Sequence, residues 1–139
     1  MTSPLRIALS GAGVMGRQHH QHLQTLAEAQ LCAIADPGPQ AEAFAAECGV
    51  AYFADYRQML DEARPEAVIV ANPNALHVST ALDCIAAGVP VLLEKPVGVH
   101  LDEVRELVLA SERTGVPVLV GHHRRHNPLI ARARELIEQ

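Results

Sequence analysis

The stretch Gly11-Ala12-Gly13-Val14-Met15-Gly16 stands directly behind the apolar run Leu5–Leu9. Three glycines at these offsets, between a strand-like run and a longer amphipathic segment, leave few folds open. The chain must leave the strand in a sharp turn and enter a helix that lies close against it. Gly11 permits the turn, Gly13 keeps the backbone bare where a ligand approaches, and Gly16 lets the helix pack on the strand. The helix N-terminus, opening at Val14 and Met15, offers unpaired N–H groups and the positive end of its dipole to an anion. A second apolar run, Leu31–Ala35, ends at Asp36, twenty residues after Gly16. Strand, glycine turn, helix, strand and acid together describe a surface for the adenosine and pyrophosphate of a dinucleotide. Asp36 accepts hydrogen bonds from the ribose hydroxyls. It repels a 2′-phosphate, and Pro37-Gly38-Pro39 supplies no arginine to accept one, so NAD is expected before NADP.

The rest of the chain continues the alternation. Strands are expected at Leu5–Ser10, Leu31–Ala35, Ala51–Phe53, Ala67–Ala71, Val91–Leu93 and Val118–Val120. Helices are expected at Val14–Ala29, Gln40–Glu47, near Tyr56–Ala63, at Leu76–Ala87, Leu101–Thr114 and Leu129–Ile137. The run Ala67–Ala71 is too short for a helix and reads as a strand buried on both faces. Two helix ends repeat one pattern, Ala87-Gly88-Val89-Pro90-Val91 and Thr114-Gly115-Val116-Pro117-Val118. Each is a left-handed glycine stop followed by a proline that opens a strand. Six short strands separated by helices imply an α/β fold, a doubly wound parallel sheet in a single domain.

Composition narrows the partners. The chain has 139 residues, enough for one domain with a real core, and 49% of them are hydrophobic. A net charge of −5 with interspersed signs gives no electrostatic case for nucleic acid or an anionic membrane. Aromatic residues make up 3%, with no tryptophan, which argues against a stacking platform for single strands. No apolar stretch approaches a membrane span, and Met1-Thr2-Ser3-Pro4 leads straight into a strand, so no signal peptide is expected. Cys32, Cys48 and Cys84 are widely spaced and odd in number. They read as small buried hydrophobes of a reducing cytoplasm, not as disulfide partners or metal ligands.

The second half carries a more specific pattern. Ala71-Asn72-Pro73-Asn74 is followed by His77, then Ala86-Ala87-Gly88, then Leu93-Glu94-Lys95-Pro96, and finally Gly121-His122-His123-Arg124-Arg125-His126-Asn127-Pro128. With Gly11–Gly16, His19 and Asp36, the chain from Arg6 to Pro128 resembles the glucose–fructose oxidoreductase/inositol dehydrogenase (Gfo/Idh/MocA) family, and Glu94-Lys95-Pro96 is the most specific element. The resemblance implies an NAD-binding Rossmann domain over residues 1–128. Residues 129–139 would then be an amphipathic helix leading toward a second domain that holds substrate and forms a homo-oligomer. It implies reversible hydride transfer between the nicotinamide and a secondary alcohol or ketone of a sugar, inositol or related polyol. Because the family's catalytic histidine lies in the second domain, this chain by itself is expected to be inactive. A free-standing NAD-binding module without turnover is the alternative; a third reading, another nucleotide such as coenzyme A, leaves Lys95 and Asn72 without a task.

By the same resemblance Lys95 sits beside the nicotinamide and the substrate hydroxyl. Its place agrees, since it follows the fifth strand at the carboxyl edge, where ligands bind in open α/β sheets. A lysine there lowers the cost of a developing alkoxide. Glu94 is expected to bond a ribose hydroxyl or to hold Lys95, the alternative being a solvated loop acid. Pro96 fixes the backbone after Lys95, and X-Pro is the usual place for a cis bond. Asn72, with Pro73, is placed by resemblance near the cofactor ribose. His77 divides evenly between a cofactor-side contact and a local structural role. His123 and Arg125 border the substrate pocket by resemblance and would orient a polyol, sugar or carboxylate; the alternative for Arg125 is an ion pair to the second domain. His19, His20 and His22 invite a metal reading, but no third ligand and no intervening glutamate accompany them.

Overall fold

The computed structural model describes residues 3–138. The chain alternates β1 (Leu5–Ser10), α1 (Val14–Leu23), β2 (Ala29–Ala35), α2 (Ala41–Cys48), β3 (Ala51–Phe53), α3 (Tyr56–Ala63), β4 (Ala67–Val70), α4 (His77–Ala86), β5 (Val91–Leu93), α5 (Leu101–Thr114), β6 (Val118–Val120) and α6 (Pro128–Ile137). Short 3-10 turns at Asn74–Leu76 and His123–His126 precede α4 and α6. All strand pairs are parallel, in the order β3-β2-β1-β4-β5-β6.

Successive strand residues point to opposite faces, and this alternation builds two cores. Leu9, Ile34 and Ile69 pack with Leu23 of α1 and Phe44 and Ala45 of α2. Ala8, Ala35, Val68 and Val70 face the other way, against Met59 of α3, Cys84 of α4 and Leu107 of α5. Segments buried on both faces are apolar throughout, which is why Ala33–Ala35 of β2 and Val68–Val70 of β4 read as unbroken runs.

The boundaries that differ have local causes. The first helix, expected to reach Ala29, stops at Leu23. The Thr25 hydroxyl donates to the His22 carbonyl at 2.7 Å and Leu26 N–H to the Leu23 carbonyl at 3.1 Å, which closes the last turn. Ala29 and Gln30 are thereby free to join β2 opposite Leu5 and Arg6. The β1–β2 register then steps between Ile7 and Ala8, so that Leu31 and Ala33 find partners and Cys32 is passed over. Leu76, expected to open α4, belongs instead to the preceding 3-10 turn. Gly88 and Gly115 adopt φ of 72° and 74°, the left-handed stops that the repeated Gly-Val-Pro pattern predicts.

The three cysteines are free, and only Cys84 is fully buried; Cys32 and Cys48 are half-buried. Burial, reinforced by Asp83, pushes the Cys84 thiol up to about 12, so it packs as a small hydrophobe and not as a nucleophile. No helix among the described residues is long and apolar enough to cross a membrane.

Candidate dinucleotide site

The strand order reverses between β1 and β4, so the connections leaving their carboxyl ends diverge and open a crevice. The three glycines of the turn do different things there. Gly11 has φ of 106°, and a Cβ on it would run into the backbone of Ala71 and Asn72 at the end of β4. A Cβ on Gly16 would run into the Gly11 carbonyl. These two residues serve close packing. A Cβ on Gly13 would meet nothing within 4 Å. Gly13 caps α1 without a side-chain bond, and Val14 behind it is 84% exposed. The first N–H groups of α1 therefore open onto free space, the cradle a pyrophosphate requires.

Asp36 ties the second strand to this turn. Its Oδ2 accepts the Ala12 N–H at 2.7 Å and its Oδ1 accepts the Gly38 N–H at 2.6 Å. A Cβ on Gly38 would come within 2.8 Å of that same Oδ1, so the close turn depends on glycine. A carboxylate has about four lone-pair sites, so the ribose hydroxyls can still bond to Asp36 while it holds the turn.

Asp36, Gly11 and Asn72 line a cavity of about 460 Å³, together with Tyr56 and Arg57. The sequence offers little warning of the last two. Their only signal is Asp55, whose Oδ1 caps α3 by accepting the Arg57 N–H at 2.8 Å. The Tyr56 hydroxyl donates to Asp83 Oδ2 at 2.7 Å. Burial, followed by this bond, raises the phenol from 10.0 to about 12. The unfolded chain then loses the proton before the folded one does, so the stabilisation is whole below pH 10 and lost as pH rises toward 12. Base titration of the wild type is expected to show an extra loss of stability over pH 10–12 that Tyr56→Phe lacks; identical curves would count against the raised phenol pKa.

At the end of β4, Asn72 is held from within. Its Nδ2 donates to Thr80 Oγ1 at 2.8 Å and to Ser10 Oγ at 3.3 Å, and its buried Oδ1 has no partner. Pro73 follows, exposed on the cavity wall. His77 is 1% exposed, with Nδ1 at 2.7 Å from the Pro96 carbonyl and Nε2 at 2.9 Å from the Asn72 carbonyl. A neutral ring has one N–H and can donate to only one of them, while the imidazolium donates to both. Both ring nitrogens are taken inside the chain, so His77 ties the β4 loop to the β5 loop and acts on any ligand through them.

Glu94 departs from the solvated loop acid. It is 5% exposed, its Oε1 lies 2.8 Å from His19 Nε2, and its Oε2 accepts the Lys95 backbone N–H at 3.2 Å. A Cβ on Gly121 would come within 3.2 Å of Oε1, so the glycine after β6 makes room for this acid. Glu94 thus holds Lys95 by its backbone and leaves the ammonium alone. The Lys95–Pro96 bond is cis. Lys95 is exposed and lines a cavity of about 670 Å³ with His123, Arg124 and Arg125. Between this cavity and α1 lies another of about 370 Å³, walled by Met15, His19, Glu94 and His122 among others. His20 turns away from His19, toward Cys48 Sγ at 3.4 Å and the edge of the Phe44 ring. Among the described residues no three His, Cys, Asp or Glu side chains gather as a metal site would require.

Taken in strand order, Asp36 follows β2, Gly11 follows β1, Asn72 follows β4, Lys95 follows β5 and His123 follows β6. A parallel sheet with a glycine turn, an acid on the second strand and a polar edge of this kind defines a dinucleotide-binding domain of the Rossmann type. The family description "Oxidoreductase family, NAD-binding Rossmann fold" matches residues 5–122. The chain belongs to this family, Gfo/Idh/MocA, as its NAD-binding domain. It is 32% identical over 130 residues to the rhizopine catabolism protein MocA of Rhizobium meliloti, covering 94% of this chain and 41% of that protein. It is 33% identical over 138 residues to inositol 2-dehydrogenase 2 of Saccharopolyspora erythraea, covering 96% of this chain and 41% of the relative. The structure of the WlbA dehydrogenase from Bordetella pertussis in complex with NADH and UDP-GlcNAcA superposes with a TM-score of 0.91 at 29% identity, over 98% of this chain and 42% of that one. The chain thus spans less than half the length of the relatives it matches.

Proposed function

We propose that this chain is the cofactor half of an NAD-dependent oxidoreductase that moves a hydride between the nicotinamide and a secondary alcohol or ketone of an inositol, sugar or related polyol. The observation that carries the reading is the row of residues along one sheet edge, from Asp36 through the open space at Gly13 to Lys95 and Arg125. A dinucleotide fits that row, because the one glycine of the turn whose Cβ position is empty stands where a pyrophosphate must approach. When bound, the cofactor supplies or takes the hydride at C4 of its nicotinamide. Asp36 holds the adenosine ribose, and Gly13 with the first N–H groups of α1 holds the phosphates. Val14, Met15, Asn72 and Pro73 shape the path toward Glu94 and Lys95. His77 keeps the loops bearing Asn72 and Lys95 in register. Lys95 carries the positive charge beside the reacting oxygen, and His123 and Arg125 orient the hydroxyls of the substrate. The free thiols fit a reducing, cytoplasmic setting.

Titration calorimetry tests the cofactor assignment directly. NADH is expected to bind about ten-fold more tightly than NADPH, since Asp36 meets a 2′-phosphate with like charge. Asp36→Ala is expected to narrow the gap. Equal affinities in the wild type, or a preference for NADPH, would defeat the assignment.

A further inference from the structure

The cavity that contains Asp36 also contains a cation that the residues after Asp36 do not supply. Arg57 enters it from the start of α3, twenty-one positions further along the chain. Its guanidinium is held on two sides. Nε lies 3.0 Å from Asp83 Oδ2, and the group sits 4.7 Å from the centre of the Tyr56 ring. Among the described residues its two terminal nitrogens have no hydrogen-bond partner, and the side chain is 61% exposed. We propose that Arg57 is a latent 2′-phosphate site, masked by Asp36, and that the pair sets which nicotinamide dinucleotide the domain accepts. The inference rests on the assignment of this cavity to the adenosine half of the cofactor.

Three features support it. First, the free edge of a guanidinium presents two parallel donors, the geometry that a phosphate takes up. Second, Asp83 and Tyr56 already bias Arg57 toward this position, so part of its side-chain freedom is given up before binding. Third, Asp36 cannot swing aside to admit a phosphate, because both its oxygens are fixed by the Ala12 and Gly38 N–H groups. Asp55 also lines the cavity, but its Oδ1 is turned to the Arg57 backbone N–H as a helix cap. Asp83 neutralises part of the Arg57 charge without touching its terminal nitrogens. The acid that decides for NADH is therefore Asp36, and Arg57 is the group that would take the phosphate once Asp36 is gone.

The test is a cycle of four chains: wild type, Asp36→Ser, Arg57→Met and the double variant. Each is titrated with NADH and with NADPH, and its fold is followed by circular dichroism and melting. Asp36→Ser is expected to shift the NADPH-to-NADH affinity ratio toward NADPH by about ten-fold, and addition of Arg57→Met to remove most of that gain. A gain that persists in the double variant would overturn the proposal. So would an equal loss of both cofactors on Arg57→Met, which would mark Arg57 as a stacking partner of the adenine. A second measurement does not depend on Asp36→Ser folding: the near-isosteric Asp36→Asn, with and without Arg57→Met, is titrated with 5′-ADP and 2′,5′-ADP. Arg57→Met is expected to weaken 2′,5′-ADP by about five-fold more than 5′-ADP, and equal weakening would overturn the proposal. Failure of the wild type to bind NADH is a separate outcome that removes the cavity assignment itself, and the proposal with it.

Discussion

Gly13→Val is expected to cost at least about a hundred-fold in NADH affinity, a loss of about 2.7 kcal/mol, while the domain stays folded. Gly13 has φ of −72° and ψ of −165°, an extended conformation that valine adopts without strain. A Cβ added there would meet no atom of the protein within 4 Å. The cost to the fold is confined to a poorer helix cap, about 1 kcal/mol. The methyl groups would instead fill the space in front of the first N–H groups of α1, where the proposed pyrophosphate lies. The neighbouring glycines make the control. A side chain on Gly11 or Gly16 collides with backbone, so valine at either position is expected to lower the melting temperature sharply. Far-ultraviolet circular dichroism, melting and an NADH titration separate the two classes. A Gly13→Val chain that is native and still binds NADH normally would place the phosphate site elsewhere.

The fold was legible because its determinants are local and repeated. Unbroken apolar runs mark strands buried on both faces, and Gly88 and Gly115 announce their left-handed stops by the residues around them. The end of α1 at Leu23 is set by local bonds, the Thr25 hydroxyl closing on the His22 carbonyl and the Leu26 N–H on the Leu23 carbonyl. A sequence pattern does not reveal which of several available carbonyls a threonine will choose. The register step that passes over Cys32 is equally silent, since nothing in Leu31–Ala35 distinguishes the residue that finds no partner.

The site was legible where one segment carries its own chemistry, as in Gly11–Gly16 or Glu94-Lys95-Pro96. It was opaque where distant segments meet. Asp36 suggested a ribose acceptor, yet its bonds to Ala12 and Gly38 give it a second task in shaping the turn. Glu94 pairs with His19 across 75 positions of sequence. His77 sets its two ring nitrogens against one carbonyl five residues back and another nineteen ahead. Arg57 reaches the cavity of Asp36 only because β3 pairs with β2 and delivers the start of α3 to the same sheet edge. Spacing rules describe contacts within an element or across one turn, and these contacts are made by the topology of the sheet.

Lys95→Ala is expected to lower turnover by roughly a hundred- to a thousand-fold in the complete enzyme of which this domain is the proposed cofactor half, while changing NADH affinity by no more than a few-fold. Adenosine and pyrophosphate are assigned to residues on β1, β2 and the start of α1, and Lys95 lies past them, beyond the switch point, at the end of β5. Its ammonium has no ion-pair partner among the described residues and lines the cavity shared with His123 and Arg125. Its backbone, in contrast, is held by Glu94 Oε2 and the bonded loop around it. The charge can therefore be removed without releasing the loop. What is lost is attraction to the substrate oxygen as its proton leaves, an interaction that strengthens toward the transition state and so appears in kcat more than in ground-state binding. Steady-state kinetics of the variant, set beside a direct NADH titration, separate the alternatives. A variant that turns over normally would refute the role of the charge. One that loses NADH binding as completely as turnover would make Lys95 an anchor of the cofactor. A slow variant that binds NADH as the wild type does would support the proposed role of the ammonium beside the oxygen that changes charge.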